Sequence, residues 1–122
     1  MKLCLVVDDA SVIRKIARHI IESMRFAVVE AESGQQAIES CRNEMPDVIL
    51  LDWLMPGMSA AEFLATLRAS PGGKRPAIIY CTTEHDSVDI SRAFAAGADA
   101  YLMKPFDRDT IEAKFSEVLA IA

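Results

Sequence analysis

The sequence lacks any long apolar segment. Its first apolar run, Leu3 to Val7, stops at the acid pair Asp8-Asp9. A membrane-spanning helix needs about 20 consecutive apolar residues, and a secretory signal needs a longer apolar region than this run provides. We therefore expect no membrane-spanning segment, no membrane partner and a cytoplasmic location.

A basic surface is also lacking. The 13 Lys and Arg residues are outnumbered by 18 Asp and Glu residues, so the formal net charge is −5 at pH 7. Proteins that bind nucleic acid through their surface charge need an excess of Lys and Arg. The charge balance therefore predicts no nucleic-acid partner.

Two kinds of motif are missing as well. The three cysteines, Cys4, Cys41 and Cys81, lie far apart and form no CxxC pair. We expect reduced thiols in the core rather than a disulfide or a metal site. No GxGxxG sequence is present, which argues against dinucleotide binding.

What the sequence does contain is an alternation of short apolar runs and amphipathic segments. The apolar runs, typical of strands covered on both faces, occupy residues 3–7, 27–29, 48–51, 77–81 and 100–103. Segments with helical periodicity follow at 12–24, 33–43, 59–69, 87–96 and 111–119. This order predicts an α/β fold of five βα units: a doubly wound, five-stranded parallel sheet. We expect one domain over residues 1–122, with no output domain.

Residues at the ends of these segments support the same assignment. Side chains that can cap a helix N-terminus stand at the expected helix starts: Ser11, Ser33, Ser59, Asp86 and Asp107. Gly97 follows the fourth predicted helix, as a C-terminal glycine does. Pro46 and Pro76 come just before predicted strands, where a helix cannot continue.

Polar residues follow four of the predicted strands. They are Asp8-Asp9 after the first, Asp52 after the third, Thr82-Thr83 after the fourth and Lys104-Pro105 after the fifth. The carboxyl ends of parallel strands meet at one edge of a sheet, where such folds bind ligands. We therefore expect these side chains to lie close together.

Phosphoryl transfer to a carboxylate is the chemistry that fits this set. Three carboxylates and one ammonium group leave a formal charge of −2 (−3 + 1), which a divalent cation with oxygen ligands, such as Mg²⁺, would neutralise. One carboxylate must be free to attack phosphorus. Asp52 is the candidate because it projects alone from the central strand.

These residues resemble the receiver domains of two-component response regulators. The match consists of Asp8-Asp9, the segment VILLDWLMPG around Asp52, Thr82, and the segment from Tyr101 to Phe106. Their order and spacing match over essentially the whole chain, and the combination is specific although each element alone is weak. The resemblance implies a flavodoxin-like strand order, 2-1-3-4-5. It also implies a protein that catalyses only its own phosphorylation and dephosphorylation, rather than a conventional enzyme.

The resemblance implies a metal site as well. Asp9 and Asp52 would bind Mg²⁺ directly, and Asp8 would act through a water molecule. The main-chain carbonyl of Leu54 would be a third protein ligand. Mn²⁺ could substitute for Mg²⁺.

The remaining roles concern the phosphoryl group. The resemblance implies that Asp52 accepts it from a histidine kinase or a histidine phosphotransfer protein, that Lys104 binds a phosphoryl oxygen, and that the Lys104–Pro105 peptide bond is cis. Thr82 would move towards the phosphoryl group and Tyr101 would turn inward behind it. The surface of the fourth helix, fifth strand and fifth helix would then change, and an unidentified downstream protein would bind it.

One departure from the family pattern concerns the lifetime of the phosphoryl group. Leu54, two residues after Asp52, stands where a polar side chain is common, and Glu84 stands two residues after Thr82. These side chains would flank the path of the hydrolytic water. We predict that Leu54 slows dephosphorylation by excluding water.

Three other functions are compatible with the same fold. An interaction module could have lost phosphorylation, although the acids, the threonine and the lysine are all present. An aspartate-nucleophile phosphatase usually has a second acid two residues after the nucleophile, where this chain has Leu54. A flavodoxin-like flavin carrier must bind a phosphate in its first loop, where Asp8-Asp9 would repel one.

Overall fold

Five strands alternate with five helices in the computed structural model, which describes residues 1–52, 57–82 and 87–119. The strands are β1 (Leu3–Val7), β2 (Ala27–Ala31), β3 (Val48–Asp52), β4 (Ala77–Thr82) and β5 (Ala100–Met103). The helices are α1 (Ser11–Ser23), α2 (Gly34–Asn43), α3 (Ala60–Ala69), α4 (Ser87–Ala96) and α5 (Arg108–Leu119). Each strand is followed by a helix, as the alternation of apolar and amphipathic segments predicts.

The strands form one parallel sheet in the order β2-β1-β3-β4-β5. This confirms the doubly wound, flavodoxin-like architecture. Because the strand order reverses at β1, the crevice beyond the carboxyl ends of β1 and β3 is the expected ligand site of the fold.

Helices cover both faces of the sheet and give the molecule two cores. Side chains of α2, α3 and α4, among them Phe63 and Leu67, form one core against the sheet. Side chains of α1 and α5, among them Ile21 and Ile111, form the other. Burying a side chain of this size stabilises the fold by roughly 1.5–3 kcal/mol. The central strands β1 and β3 are therefore buried throughout.

Capping at the helix starts agrees with the sequence at three positions. The Ser33 side chain accepts a hydrogen bond from the Gln36 amide, and the Ser59 side chain accepts one from the Glu62 amide. The Asp107 side chain accepts one from the Thr110 amide at 2.9 Å. The prediction for Ser11 was wrong. It is the first helical residue of α1, and Ala10 stands at the cap without a side-chain hydrogen bond.

The remaining predictions of helix and strand boundaries concern two separate prolines, Pro46 and Pro76, together with Gly97 and Asp86. β3 and β4 begin just after Pro46 and Pro76, and Gly97 ends α4 with φ of 119°, a left-handed conformation that favours glycine. Asp86 lies outside the described residues.

The cysteines are buried and free, as predicted. Burial raises the pKa of the Cys41 thiol to about 11, and it raises the pKa of Cys4 and Cys81 further. These thiols stay protonated and inert in the core. None of the helices in the described ranges has both the length and the apolar character that a membrane crossing requires.

Candidate functional site

Three carboxylates meet at the carboxyl edge of the sheet. Asp8 and Asp9 follow β1 directly, and Asp52 is the last residue of β3. One carboxylate oxygen from each lies within 4.8 Å of the other two. Asp8 and Asp52 are 3% and 7% exposed, whereas Asp9 is exposed. The structure thus brings together the acids that the sequence placed at separate strand ends.

Hydrogen bonds fix both the main chain and the side chain of Asp8. Its amide donates a hydrogen bond to the Ala31 carbonyl of β2 at 3.1 Å, which continues the strand ladder by one residue. Its Oδ1 accepts from the Ala10 amide at 2.9 Å, and its Oδ2 accepts from Lys104 Nζ at 2.6 Å. Its carbonyl oxygen accepts from Arg14 Nη1 at 2.8 Å. Asp8 is therefore the fixed member of the acid pair.

Lys104 supplies the positive charge of the site. Its Nζ lies 2.6 Å from Asp8 Oδ2 and 3.4 Å from Asp52 Oδ1, and its peptide bond with Pro105 is cis. Burial lowers the pKa of Lys104, but the hydrogen bond to Asp8 and the charges of Asp52 and Asp8 outweigh burial and raise it overall. The ammonium group is therefore charged at neutral pH.

The two predicted switch residues, Thr82 and Tyr101, lie on β4 and β5. Thr82 is the buried last residue of β4, and its carbonyl accepts a hydrogen bond from the Lys104 amide at 2.7 Å. Tyr101 is half-buried, with its ring centroid 6.0 Å from that of Tyr80, and Lys114 Nζ lies 5.4 Å from the Tyr101 centroid. Thr82 therefore lies on the strand next to that of Asp52, whereas Tyr101 lies one strand further away.

A divalent cation fits the residues present. The candidate ligands among the described residues are carboxylate oxygens, and such hard ligands suit Mg²⁺. Lys104 pairs with two of the three clustered acids, Asp8 and Asp52, so the cluster keeps the excess negative charge predicted from the sequence. Leu54 and Glu84, the positions expected to supply a carbonyl ligand and to affect hydrolysis, lie outside the described residues.

Sequence reasoning missed three residues around the site. Arg14 and Glu30 carry charges that are usual on a helix and an edge strand, and Tyr80 lies inside an apolar run. The structure places Arg14 against the Asp8 main chain and pairs it with Glu30. Tyr80 is fully buried between Tyr101 and Phe94, with ring centroids 6.0 and 6.5 Å away. No local sequence signal marks these contacts because each joins separate elements.

Fold and site together define a class: a doubly wound α/β protein with acids and a lysine at the switch point of its sheet. The chain matches the model of the response regulator receiver domain over residues 4–116. It belongs to that family, and it is a receiver domain of a two-component system.

Two related regulatory proteins agree with this assignment. The phosphate regulon transcriptional regulatory protein PhoB of Klebsiella pneumoniae is 32% identical over 115 residues, covering 94% of this chain and 50% of PhoB. The Escherichia coli PhoB matches with the same identity and coverage. The chain therefore spans about half the length of the curated relatives it matches.

Solved structures show the same fold. The Vibrio cholerae chemotaxis protein CheY4 is 31% identical with a TM-score of 0.93, covering 98% of this chain and 99% of that one. The receiver domain of the Pseudomonas aeruginosa sensor histidine kinase PA1611 is 26% identical with a TM-score of 0.89, covering 98% of both chains. That structure contains a magnesium ion coordinated in its active-site cleft.

Proposed function

We propose that this chain takes a phosphoryl group onto Asp52 from a histidine kinase or a histidine phosphotransfer protein. The observation that supports this function is the position of the Asp52 carboxylate. It is buried at the end of the central strand, within 4.8 Å of both neighbouring acids and 3.4 Å from Lys104 Nζ. A nucleophile placed between anions and a cation suits a reaction in which negative charge accumulates on phosphorus.

In the proposed reaction, a carboxylate oxygen of Asp52 attacks the phosphorus of a phosphohistidine. The new P–O bond forms as the P–N bond breaks, and the imidazole leaves with the electron pair of that bond. Lys104 moves from Asp8 onto a phosphoryl oxygen, a short displacement because its Nζ already lies 3.4 Å from Asp52 Oδ1. Its ammonium group offsets the charge that arrives.

Asp9 and Asp52, with the main-chain carbonyl of Leu54, would hold Mg²⁺, or Mn²⁺ in its place, and Asp8 would contribute through a water molecule. When bound, the cation would supply Lewis-acid stabilisation of the phosphoryl oxygens. The exposed side chain of Asp9 is free to meet a cation from solvent, whereas buried Asp8 is committed to Lys104. This difference supports a direct role for Asp9 and an indirect one for Asp8.

The output of the reaction would be a change in the surface of α4, β5 and α5. Thr82 would donate its hydroxyl to the phosphoryl group, and Tyr101 would fill the space that Thr82 leaves. Tyr101 is half-buried, and Lys114 Nζ of α5 lies 5.4 Å from its ring centroid, so a movement of this ring would reach α5. A downstream protein would bind this surface either in its phosphorylated or in its unphosphorylated state. The interaction would take place in the cytoplasm.

Treatment with acetyl phosphate and MgCl₂, followed by intact-mass measurement and hydroxylamine cleavage, tests the proposal. Wild-type protein should gain one phosphoryl group as an acyl phosphate, and Asp52→Ala should gain none. Asp47→Ala, which removes an acid from the opposite edge of the sheet, is the matched control and should be phosphorylated normally.

Two results would replace the proposal with another function. A wild-type chain that gains no mass, yet still binds a partner protein, would be a phosphorylation-independent interaction module. Repeated turnover of a generic phosphate ester would instead indicate an aspartate-nucleophile phosphatase.

A further inference from the structure

Arg14 of α1 joins the acid pair to the edge strand. Its Nη1 donates a hydrogen bond to the main-chain carbonyl of Asp8 at 2.8 Å, and its Nε donates to Glu30 Oε1 at 3.0 Å. The side chains of Arg14 and Glu30 are only 13% and 12% exposed. The guanidinium group is therefore held between two fixed acceptors.

The position of the Asp8 carbonyl oxygen affects the position of Asp9. It belongs to the peptide group that links Asp8 to Asp9, and a peptide group is planar. A hydrogen bond that fixes this oxygen therefore also fixes the amide nitrogen and the Cα atom of Asp9, and the Asp9 side chain projects from that Cα atom. The carbonyl lies one residue beyond β1, and a buried carbonyl needs a donor, which Arg14 supplies.

Glu30 keeps the guanidinium group in place. Its carboxylate contacts three cations of α1, with Lys15 Nζ at 2.9 Å and Arg18 Nε at 2.7 Å in addition to Arg14. Burial alone would raise the pKa of Glu30, but the hydrogen bonds from Lys15 and Arg14 and the nearby positive charges lower it overall. The anchor is therefore ionised at neutral pH.

We propose that Arg14 is a positioning residue for the divalent-cation site, which it serves by fixing the peptide group between Asp8 and Asp9. The inference rests on the proposed binding of Mg²⁺ by Asp9 and Asp52. Groups that orient metal ligands without touching the metal commonly change its affinity by about 10–100-fold when they are removed.

The sign of the effect separates positioning from electrostatics. Arg14 is a cation close to a cation site, so its charge alone weakens Mg²⁺ binding, and removing that charge should strengthen it. Loss of positioning acts in the opposite direction. It should also affect Mg²⁺ more than Ca²⁺, because Mg²⁺ demands near-octahedral geometry and Ca²⁺ accepts irregular ligand sets.

The experiment is calorimetric titration of the folded proteins with MgCl₂ and with CaCl₂. We expect Arg14→Met to lower Mg²⁺ affinity about tenfold and to lower Ca²⁺ affinity less, so the ratio of the two affinities falls. Lys15→Met is the matched control, because it removes the same charge from the same Glu30 carboxylate. Lys15 is 67% exposed, and this variant should bind Mg²⁺ as tightly as wild type or slightly more tightly.

Arg14→Lys keeps the charge but loses the planar group that reaches two acceptors at once. It should also lose Mg²⁺ affinity, and it decides the question if Arg14→Met does not fold by circular dichroism. The inference is overturned if the Arg14 variants bind Mg²⁺ as well as the Lys15→Met control. A wild-type chain with no Mg²⁺ affinity would instead overturn the metal site, and with it the role of Arg14.

Discussion

The two edges of the sheet use acidic residues in different ways. At the amino edge, Asp47 Oδ2 accepts from the Leu3 amide at 2.8 Å, and Asp47 Oδ1 pairs with Arg75 at 2.9 Å. Asp99 Oδ2 accepts from the Ile78 amide at 2.8 Å and from Arg68 at 3.3 Å. Each of these acids has its own strand amide and its own arginine.

The carboxyl edge has the opposite arrangement. Asp8, Asp9 and Asp52 lie within 4.8 Å of one another, and Lys104 is shared between Asp8 and Asp52. An acid that is fully paired with an amide and an arginine holds a strand in place. Acids that share one lysine keep excess negative charge, which favours the binding of a second cation. Charge balance therefore distinguishes the structural edge from the edge that we propose to be reactive, although both carry aspartates.

The largest effect on the reactive edge should come from removing its lysine. Lys104→Ala takes away the cation that competes with a metal for Asp8 and Asp52, so Mg²⁺ affinity should rise about tenfold, or ~1.4 kcal/mol. Calorimetric titration measures it. Lys114→Ala is the control, because it makes the same change in net charge at the Tyr101 ring. Equal affinities for these two variants would contradict the shared-cation account.

A smaller effect should follow from Leu54→Asn. If Leu54 excludes the hydrolytic water, as predicted from the sequence, a polar side chain at this position should admit it. We expect the rate of autodephosphorylation to rise about threefold, which corresponds to less than 1 kcal/mol in barrier height. Decay of the acyl phosphate after removal of the donor gives the rate, and an unchanged rate would show that Leu54 does not protect the phosphoryl group.

The smallest effect on the reactive edge should come from Asp47→Ala. This change should leave phosphorylation intact but lower the free energy of unfolding by about 1–2 kcal/mol, because the Leu3 amide loses its acceptor. Urea denaturation at pH 7 measures the loss. A phosphorylation defect in this variant would break the distinction between the two edges.

The Asp47 effect should also depend on pH. The hydrogen bond from the Leu3 amide lowers the pKa of Asp47, burial opposes this, and Arg75 lowers the pKa further. Its stabilising contribution is therefore present above the unfolded pKa of about 3.9 and is lost as pH falls through the lower folded pKa. The difference between wild type and Asp47→Ala should shrink in that acidic range.

The positions of the five strands along the chain, and the meeting of the acids and the lysine at one edge of the sheet, could be predicted from the sequence. Buried parallel strands must be continuously apolar, so their ends are visible as the first polar residues, and Asp8, Asp52 and Lys104 could be assigned to one edge. Their mutual contacts in the structure agree with that assignment. The sequence predicted these features because they depend on one strand at a time.

Features that depend on two elements were not predictable in this way. Strand β2 runs to Ala31, beyond the apolar run that stops at Val29, because cations of α1 neutralise Glu30. The N-cap of α1 was misassigned to Ser11. The cap is Ala10, whose amide donates a hydrogen bond to the Asp8 carboxylate two residues earlier. Both differences involve side chains that come from outside the segment being assigned.

Glu30 has a further consequence for the behaviour of many copies of this protein together. β2 lies at the edge of the sheet, and an edge strand offers unpaired main-chain groups to any other strand that approaches. Glu30 is mostly buried on this strand and is paired with three cations of α1, and charges that point inward from an edge strand disfavour pairing with another strand. We therefore expect the ionic cluster on β2 to disfavour the addition of another strand at this edge of the sheet.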